Sequence, residues 1–190
     1  MAIKKFFFDV ETTGIDHRKN CIWQLAGIME IDGAIQGEIE MTCQPQYPEN
    51  INDYALQLSG MTKEEMMNLP PADHAFADLT DFLQRHINPF DKNDKAAIVG
   101  YNVAFDENFL REFWKRNNNK YFGGFFWSGR IDVLSMAMDH LLERRPFMAN
   151  FKLETVAKEL GIEAEDWHDA RTDIQVTREI YHQIKSKYHF

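Results

Sequence analysis

No apolar run in this chain approaches the roughly 18 residues that a membrane-spanning helix needs, so no membrane partner is expected. The opening MAIKKFFFDV sets two lysines ahead of an apolar stretch, as a secretory signal does. Asp9 interrupts that stretch before any small-residue cleavage site, and a buried first strand is the better reading. Cysteine is almost missing. Cys21 and Cys43 provide neither a disulfide framework nor zinc-ligand spacing, and free thiols suit a reducing compartment. A cytoplasmic protein is expected. Internal repeats, low-complexity segments and linkers are lacking too, which points to a single domain over residues 1–190 with length enough for a substantial core.

Basic residues are in short supply: 21 lysines and arginines face 30 aspartates and glutamates, for a formal net charge of -9. Affinity for long duplex rests on neutralising phosphates, so a protein that clings to long duplex is excluded. An acidic chain fits a nucleic-acid enzyme when its carboxylates collect around divalent cations, which reverse the local field where phosphate must sit. Such an enzyme grips a few terminal nucleotides.

What the chain does have is patterning. Residues 3–9 are apolar and aromatic and predict a buried strand, and 21–31 and 34–43 are rich in β-formers. Asp32-Gly33 between the latter two is a hairpin signal. A polar, proline-containing stretch runs from Gln44 to Pro71. Phe76, Leu79, Phe82, Leu83 and Ile87 then recur at helical spacing up to Pro89. Residues 96–101 predict a short strand and Asp106 opens an amphipathic helix. Residues 130–142 begin as strand and continue as helix, 153–160 form a short helix closed by Gly161, and a last helix runs from Asp169 to the end. The order predicts an α/β domain, an antiparallel hairpin beside the first strand followed by strands alternating with helices.

Three segments carry chemistry. In FFFDVETTG (6–14), Asp9 and Glu11 lie two apart and share one face of a strand. Taken alone, an Asp-x-Glu pair arises readily by chance in so acidic a chain, and a solvated strand end explains it equally well. In VGYNVAFDENFL (99–110), Asp106 follows a buried strand and a turn; capping and dipole preferences alone place Asp in a first helical turn. In HDARTDIQVTREIY (168–181), His168 precedes the last helix, and Asp173 falls among its inward-spaced residues Ala170, Ile174 and Thr177. A carboxylate on an apolar helix face is costly unless paired or metal-bound. Together the segments supply four carboxylates and a histidine. Oxygen ligands are what Mg²⁺ and Mn²⁺ select, two such ions stabilise both oxygens of an in-line phosphoryl displacement, and a neutral histidine takes a proton from water.

The three segments resemble the exonuclease motifs of the DEDDh family, which includes the epsilon proofreading subunits of bacterial replicative polymerases, ribonuclease T and oligoribonuclease. Asp9 and Glu11 match the first motif, Asp106 the second, and His168 with Asp173 the third. The similarity spans nearly the whole chain: Leu58-Ser59-Gly60-Met61-Thr62 and NFKLETVAKELGI (150–162) resemble further family segments. The resemblance implies a ribonuclease-H-like fold, a mixed five-stranded sheet flanked by helices. It implies two Mg²⁺ or Mn²⁺ ions held by Asp9, Glu11, Asp106 and Asp173, with His168 as general base, and release of nucleoside monophosphates from the 3′ end of single-stranded DNA or RNA. By the same resemblance Thr12 and Thr13 lie against the terminal nucleotide, and Asn102 and Phe105 shape its pocket.

Arg171, beside His168, is the arginine placed to meet a phosphate. In the aromatic segment 121–132 and the insertion-like 143–150, Trp127 or Phe147 could stack on a base; packing in the core or at a strand edge is the favoured account. Single-stranded DNA is the favoured substrate. An RNA-trimming exonuclease is the alternative, followed by a non-catalytic nucleic-acid-binding module, against which the complete set of five residues argues, and a phosphatase acting on small phosphate esters. A polymerase partner and a homodimer both stay open.

Overall fold

A computed structural model describes residues 2–165, 167 and 169–187. Strands β1 (Lys4–Thr12), β2 (Ile22–Ile31), β3 (Ala34–Thr42), β4 (Ala96–Gly100) and β5 (Phe126–Asp132) form one five-stranded mixed sheet in the order β3-β2-β1-β4-β5. The first three strands are antiparallel neighbours; β4 runs parallel to β1, and β5 parallel to β4. The α-helices among the described residues are α1 (Asp53–Ser59), α2 (Lys63–Met67), α3 (Ala72–Gln84), α4 (Ala104–Arg116), α5 (Phe122–Phe125), α6 (Val133–His140), α7 (Leu153–Glu159) and α8 (Ala170–Lys187). No helix among the described residues is long and apolar enough to cross a membrane.

The centre of the sheet is apolar on both faces, as parallel pairing requires. Alternation along β1 sends Phe6 and Phe8 to one side, where they pack with residues of α3, α4 and α5, including Leu79, Leu83, Leu110 and Trp114. Phe7 faces the other way, toward Val133, Val156, Ile174, Ile180 and Tyr181 of α6, α7 and α8. The β2–β3 connection is a two-residue turn: Asp32 and Gly33 take φ of 51° and 88°, the paired positive values that a tight hairpin demands.

A buried ion cluster ties α8 to the sheet. Glu30 on β2 is fully buried and receives Lys5 Nζ at 2.7 Å, Arg178 Nε at 2.8 Å and His182 Nε2 at 2.6 Å. Burial alone pushes its carboxyl upward, but hydrogen bonds from Lys5 and His182, together with their charges, hold it below the ordinary range.

The structure revises several boundaries. β1 continues to Thr12, beyond the apolar run that ends at Asp9, so Glu11 as well as Asp9 lies inside the strand. The helix expected to reach Pro89 stops at Gln84, although Ile87 stays buried beyond it. The polar stretch from Gln44 to Pro71 holds α1 and α2. Each buries a single residue, Ala55 and Met66, so neither shows an apolar period. In the aromatic segment, Phe122, Phe125 and Phe126 are buried around Trp114. Trp127 and Phe147 are exposed.

Candidate active site

The strand periodicity that buries Phe7 puts Asp9 and Glu11 on the same face, toward α8. α8 meets that face with its first turn, bringing Asp173 to both. One carboxylate oxygen from each of Asp9, Glu11 and Asp173 lies within 4.8 Å of the others. All three are half-buried.

Asp106 arrives from α4. Tyr101 follows β4, and Asn102 then takes a left-handed turn, φ 57°, a conformation that asparagine tolerates better than most residues. Asp132 at the end of β5 fixes that turn, accepting the Asn102 N–H at 2.9 Å and the Leu134 N–H at 3.2 Å. The helix therefore starts close to the sheet, and Asp106 is buried with Oδ1 accepting from Val10 N–H at 3.4 Å. That N–H is available because the pairing of β4 with β1 ends at Phe7.

The electrostatics follow from this crowding. Burial, then the charges of Asp173 and Asp169, push the Asp9 carboxyl up to about 7. Burial, then Asp9, Asp173 and Asp169, push Glu11 up to about 8. Asp106 is raised well above its ordinary value, first by burial and next by Asp9, despite the hydrogen bond from Val10. Carboxylates that repel one another in a partly dry site are the donor set that a hard divalent cation relieves. The site fits such a cation.

The remaining expected residues are placed as follows. Thr12 is half-buried, its hydroxyl donating to Gly14 O at 2.8 Å. Thr13 is fully buried and its hydroxyl accepts from Cys21 N–H at 2.9 Å, so its side chain braces the strand end. Phe105 lines a cleft of about 340 Å³ beside Glu11, with Thr12, Ile15, Tyr54 and Leu58 also in its wall. Asn102 is exposed at the turn. Arg171 is exposed and its guanidinium reaches toward β3, 4.0 Å from Glu38. His168 lies outside the described residues.

Sequence reasoning missed Tyr54, Ile15, Gln24 and Asp169. Tyr54 and Ile15 are large exposed apolar side chains, and no period marks them. Asp169 adjoins His168 in the third motif, the signal that could have found it.

Residues 6–181 match the model of the RNase T family, described as exonuclease. The chain belongs to this exonuclease family. Among curated relatives, the PolC-type DNA polymerase III of Lacticaseibacillus paracasei is 26% identical over 183 residues, 95% of this chain and 11% of that protein. That of Thermotoga petrophila is 27% identical over 174 residues, 91% of this chain and 11% of the relative. The chain thus spans about a tenth of the relatives it matches. Among solved structures, Escherichia coli exonuclease I in complex with single-stranded DNA superimposes with a TM-score of 0.74 at 24% identity, over 98% of this chain and 41% of that one. Exonuclease I from Methylocaldum szegediense gives 0.73 at 21% identity, over 98% and 41%. These likenesses establish the expected fold, a ribonuclease-H-like mixed sheet flanked by helices.

Proposed function

We propose that this exonuclease shortens single-stranded DNA from its 3′ end, releasing nucleoside monophosphates by metal-assisted hydrolysis. The observation that carries the reading is the meeting of Asp9, Glu11 and Asp173 within 4.8 Å, with Asp106 close enough to feel the charge of Asp9. The four carboxylates would hold two Mg²⁺ or Mn²⁺ ions, which supply Lewis acidity to the attacking and leaving oxygens of an in-line displacement.

The protein's own groups do the rest. His168, assigned by its place in the third motif, takes a proton from the attacking water. The water oxygen bonds to phosphorus as the bond to the 3′ oxygen of the preceding nucleotide breaks, and that oxygen is protonated from solvent. The cleft walled by Phe105, Tyr54, Leu58 and Ile15 offers apolar faces to the terminal base, and aromatic stacking tolerates any base. Net charge of -9 keeps the grip to the strand end. The single-stranded preference is supported by the exonuclease I structures, one of them a complex with a dT13 oligonucleotide. Work beside a polymerase is supported by the PolC-type relatives. Buried free thiols at Cys21 and Cys43 agree with a cytoplasmic location.

The test is release from matched single-stranded DNA, single-stranded RNA and p-nitrophenyl phosphate in Mn²⁺. Mononucleotide release fastest from DNA is expected. Faster release from RNA would reassign the substrate, and hydrolysis of the small ester alone would overturn the nuclease reading.

A further inference from the structure

Gln24 is a buried amide inside β2, 7% exposed, where its neighbours Ile22, Trp23 and Leu25 are apolar. A buried amide needs partners, and the ones it has are both carboxylates. Its Nε2 donates to Asp169 Oδ1 at 3.1 Å and to Glu40 Oε1 at 3.3 Å. An amide nitrogen has two protons, so both donors point at acceptors from different elements.

Asp169 in turn starts α8. Its Oδ2 accepts the Thr172 N–H at 3.1 Å and its carbonyl accepts the Asp173 N–H at 2.9 Å. The two oxygens are thus divided: one caps the helix that carries Asp173, the other is held by the sheet that carries Asp9 and Glu11. Resting on the function proposed above, we infer that Gln24 is a positioning residue, which by clamping Asp169 fixes the start of α8 and hence the distance of Asp173 from the two carboxylates of β1. A neutral donor is the suitable group. A carboxylate there would face Asp169 and Glu40 and add to the charge that already repels at the site.

The division of Asp169's oxygens allows a reciprocal test. In Asp169→Asn the remaining oxygen can still cap Thr172, as asparagine caps do, but its amide then meets the Gln24 amide, donor against donor. In Gln24→Glu the new carboxylate meets that of Asp169, while Glu40, which is exposed, can turn away to solvent. Combined, the asparagine amide donates to the new glutamate, and formal charge is unchanged. The experiment measures turnover on single-stranded DNA and, separately, the Mn²⁺ concentration at which the melting temperature begins to climb, which reports the dissociation constant. Each single replacement should raise that concentration and lower turnover by about 10–100-fold, the range for groups that orient metal ligands. The double replacement should recover most of both, with KM for DNA little altered throughout.

A double variant no better than the worse single, or a parent-like Gln24→Glu, would overturn the inference. Should Gln24→Glu not fold, Gln24→Met keeps the volume and inserts no charge; the same rise in the Mn²⁺ dissociation constant is expected, and its absence contradicts the clamp. Parent protein in the same assay separates the two claims, since a parent that releases no nucleotide removes the nuclease reading itself.

Discussion

Val10 donates its backbone N–H to Asp106 Oδ1 at 3.4 Å, so the strand that presents Asp9 and Glu11 also holds the carboxylate brought by α4. Two segments of the chain 96 residues apart are joined at the one place where both must be correct. The hydrogen bond exists because β4 stops pairing with β1 at Phe7, leaving the next stretch of β1 open on that side. Termination of a strand pair thus creates the room for the site.

The crowded carboxylates set the pH dependence of the metal-free protein. Asp9 is raised from 3.8 to about 7 and Glu11 from 4.5 to about 8. Between the unfolded and folded values the folded chain keeps protons that the unfolded chain has released. Stability from these groups therefore falls as pH rises through that window and levels off above it. Chelated protein should lose melting temperature from about pH 5 to 8, the loss should be smaller in Asp9→Asn/Glu11→Gln, and the stabilisation by Mn²⁺ should grow with pH. Equal pH slopes for parent and double variant would contradict the account.

Glu30 carries the opposite sign. Its carboxyl sits below the ordinary value of 4.5, so its contribution is complete above that pH and fades as pH drops through the folded value. Replacing it by Ala leaves Lys5, Arg178 and His182 without the acceptor they share. Breaking a buried pair from one side costs about 3–5 kcal/mol. Urea unfolding at neutral pH should show a loss of that order; a loss under about 0.5 kcal/mol, the size of a surface effect, would mean the cluster is not holding α8.

Gly27 gives a packing test. A Cβ at this position of β2 would stand 2.5 Å from Cζ of Phe6, a ring that is fully buried against Phe8 and Phe126. Overpacking of this kind costs about 1–3 kcal/mol. Gly27→Ala should unfold at lower urea with unchanged activity per folded molecule, and parent-like stability would show that Phe6 has room to shift.

Much of the sheet was legible because its signals are local. The triple phenylalanine marks β1, Asp32-Gly33 marks the hairpin, and Asp9 and Glu11 share a face by strand period alone. α1 and α2 were not legible by periodicity, since one buried side chain apiece leaves no apolar stripe; the readable sign was Thr62 with Glu65, which form a reciprocal capping box. The hydrogen bond that Thr13 accepts from Cys21 N–H was not legible, because alternation says nothing about a residue at a strand's end, where the chain turns. That Asp173 meets the first pair, with Asp106 near enough to feel its charge, came from the family resemblance, because no spacing encodes proximity between elements so far apart in sequence. Gln24 was hidden for a related reason: a polar residue in an otherwise apolar strand shows its purpose only when its partners on β3 and before α8 are known.

The central claim is that Asp9, Glu11, Asp106 and Asp173 act as one metal site at a 3′ end. The most direct measurement is single-turnover shortening of a 5′-labelled single-stranded DNA by the parent and by Asp106→Ala, each in Mn²⁺ and in EDTA. The account predicts a ladder receding from the 3′ end for the parent in Mn²⁺ and none in EDTA. It also predicts a loss of about 10³-fold or more in Asp106→Ala that deepens little when Asp173→Ala is added, since the groups act as a unit. Shortening that persists in EDTA, or an Asp106→Ala protein as active as the parent, would contradict it.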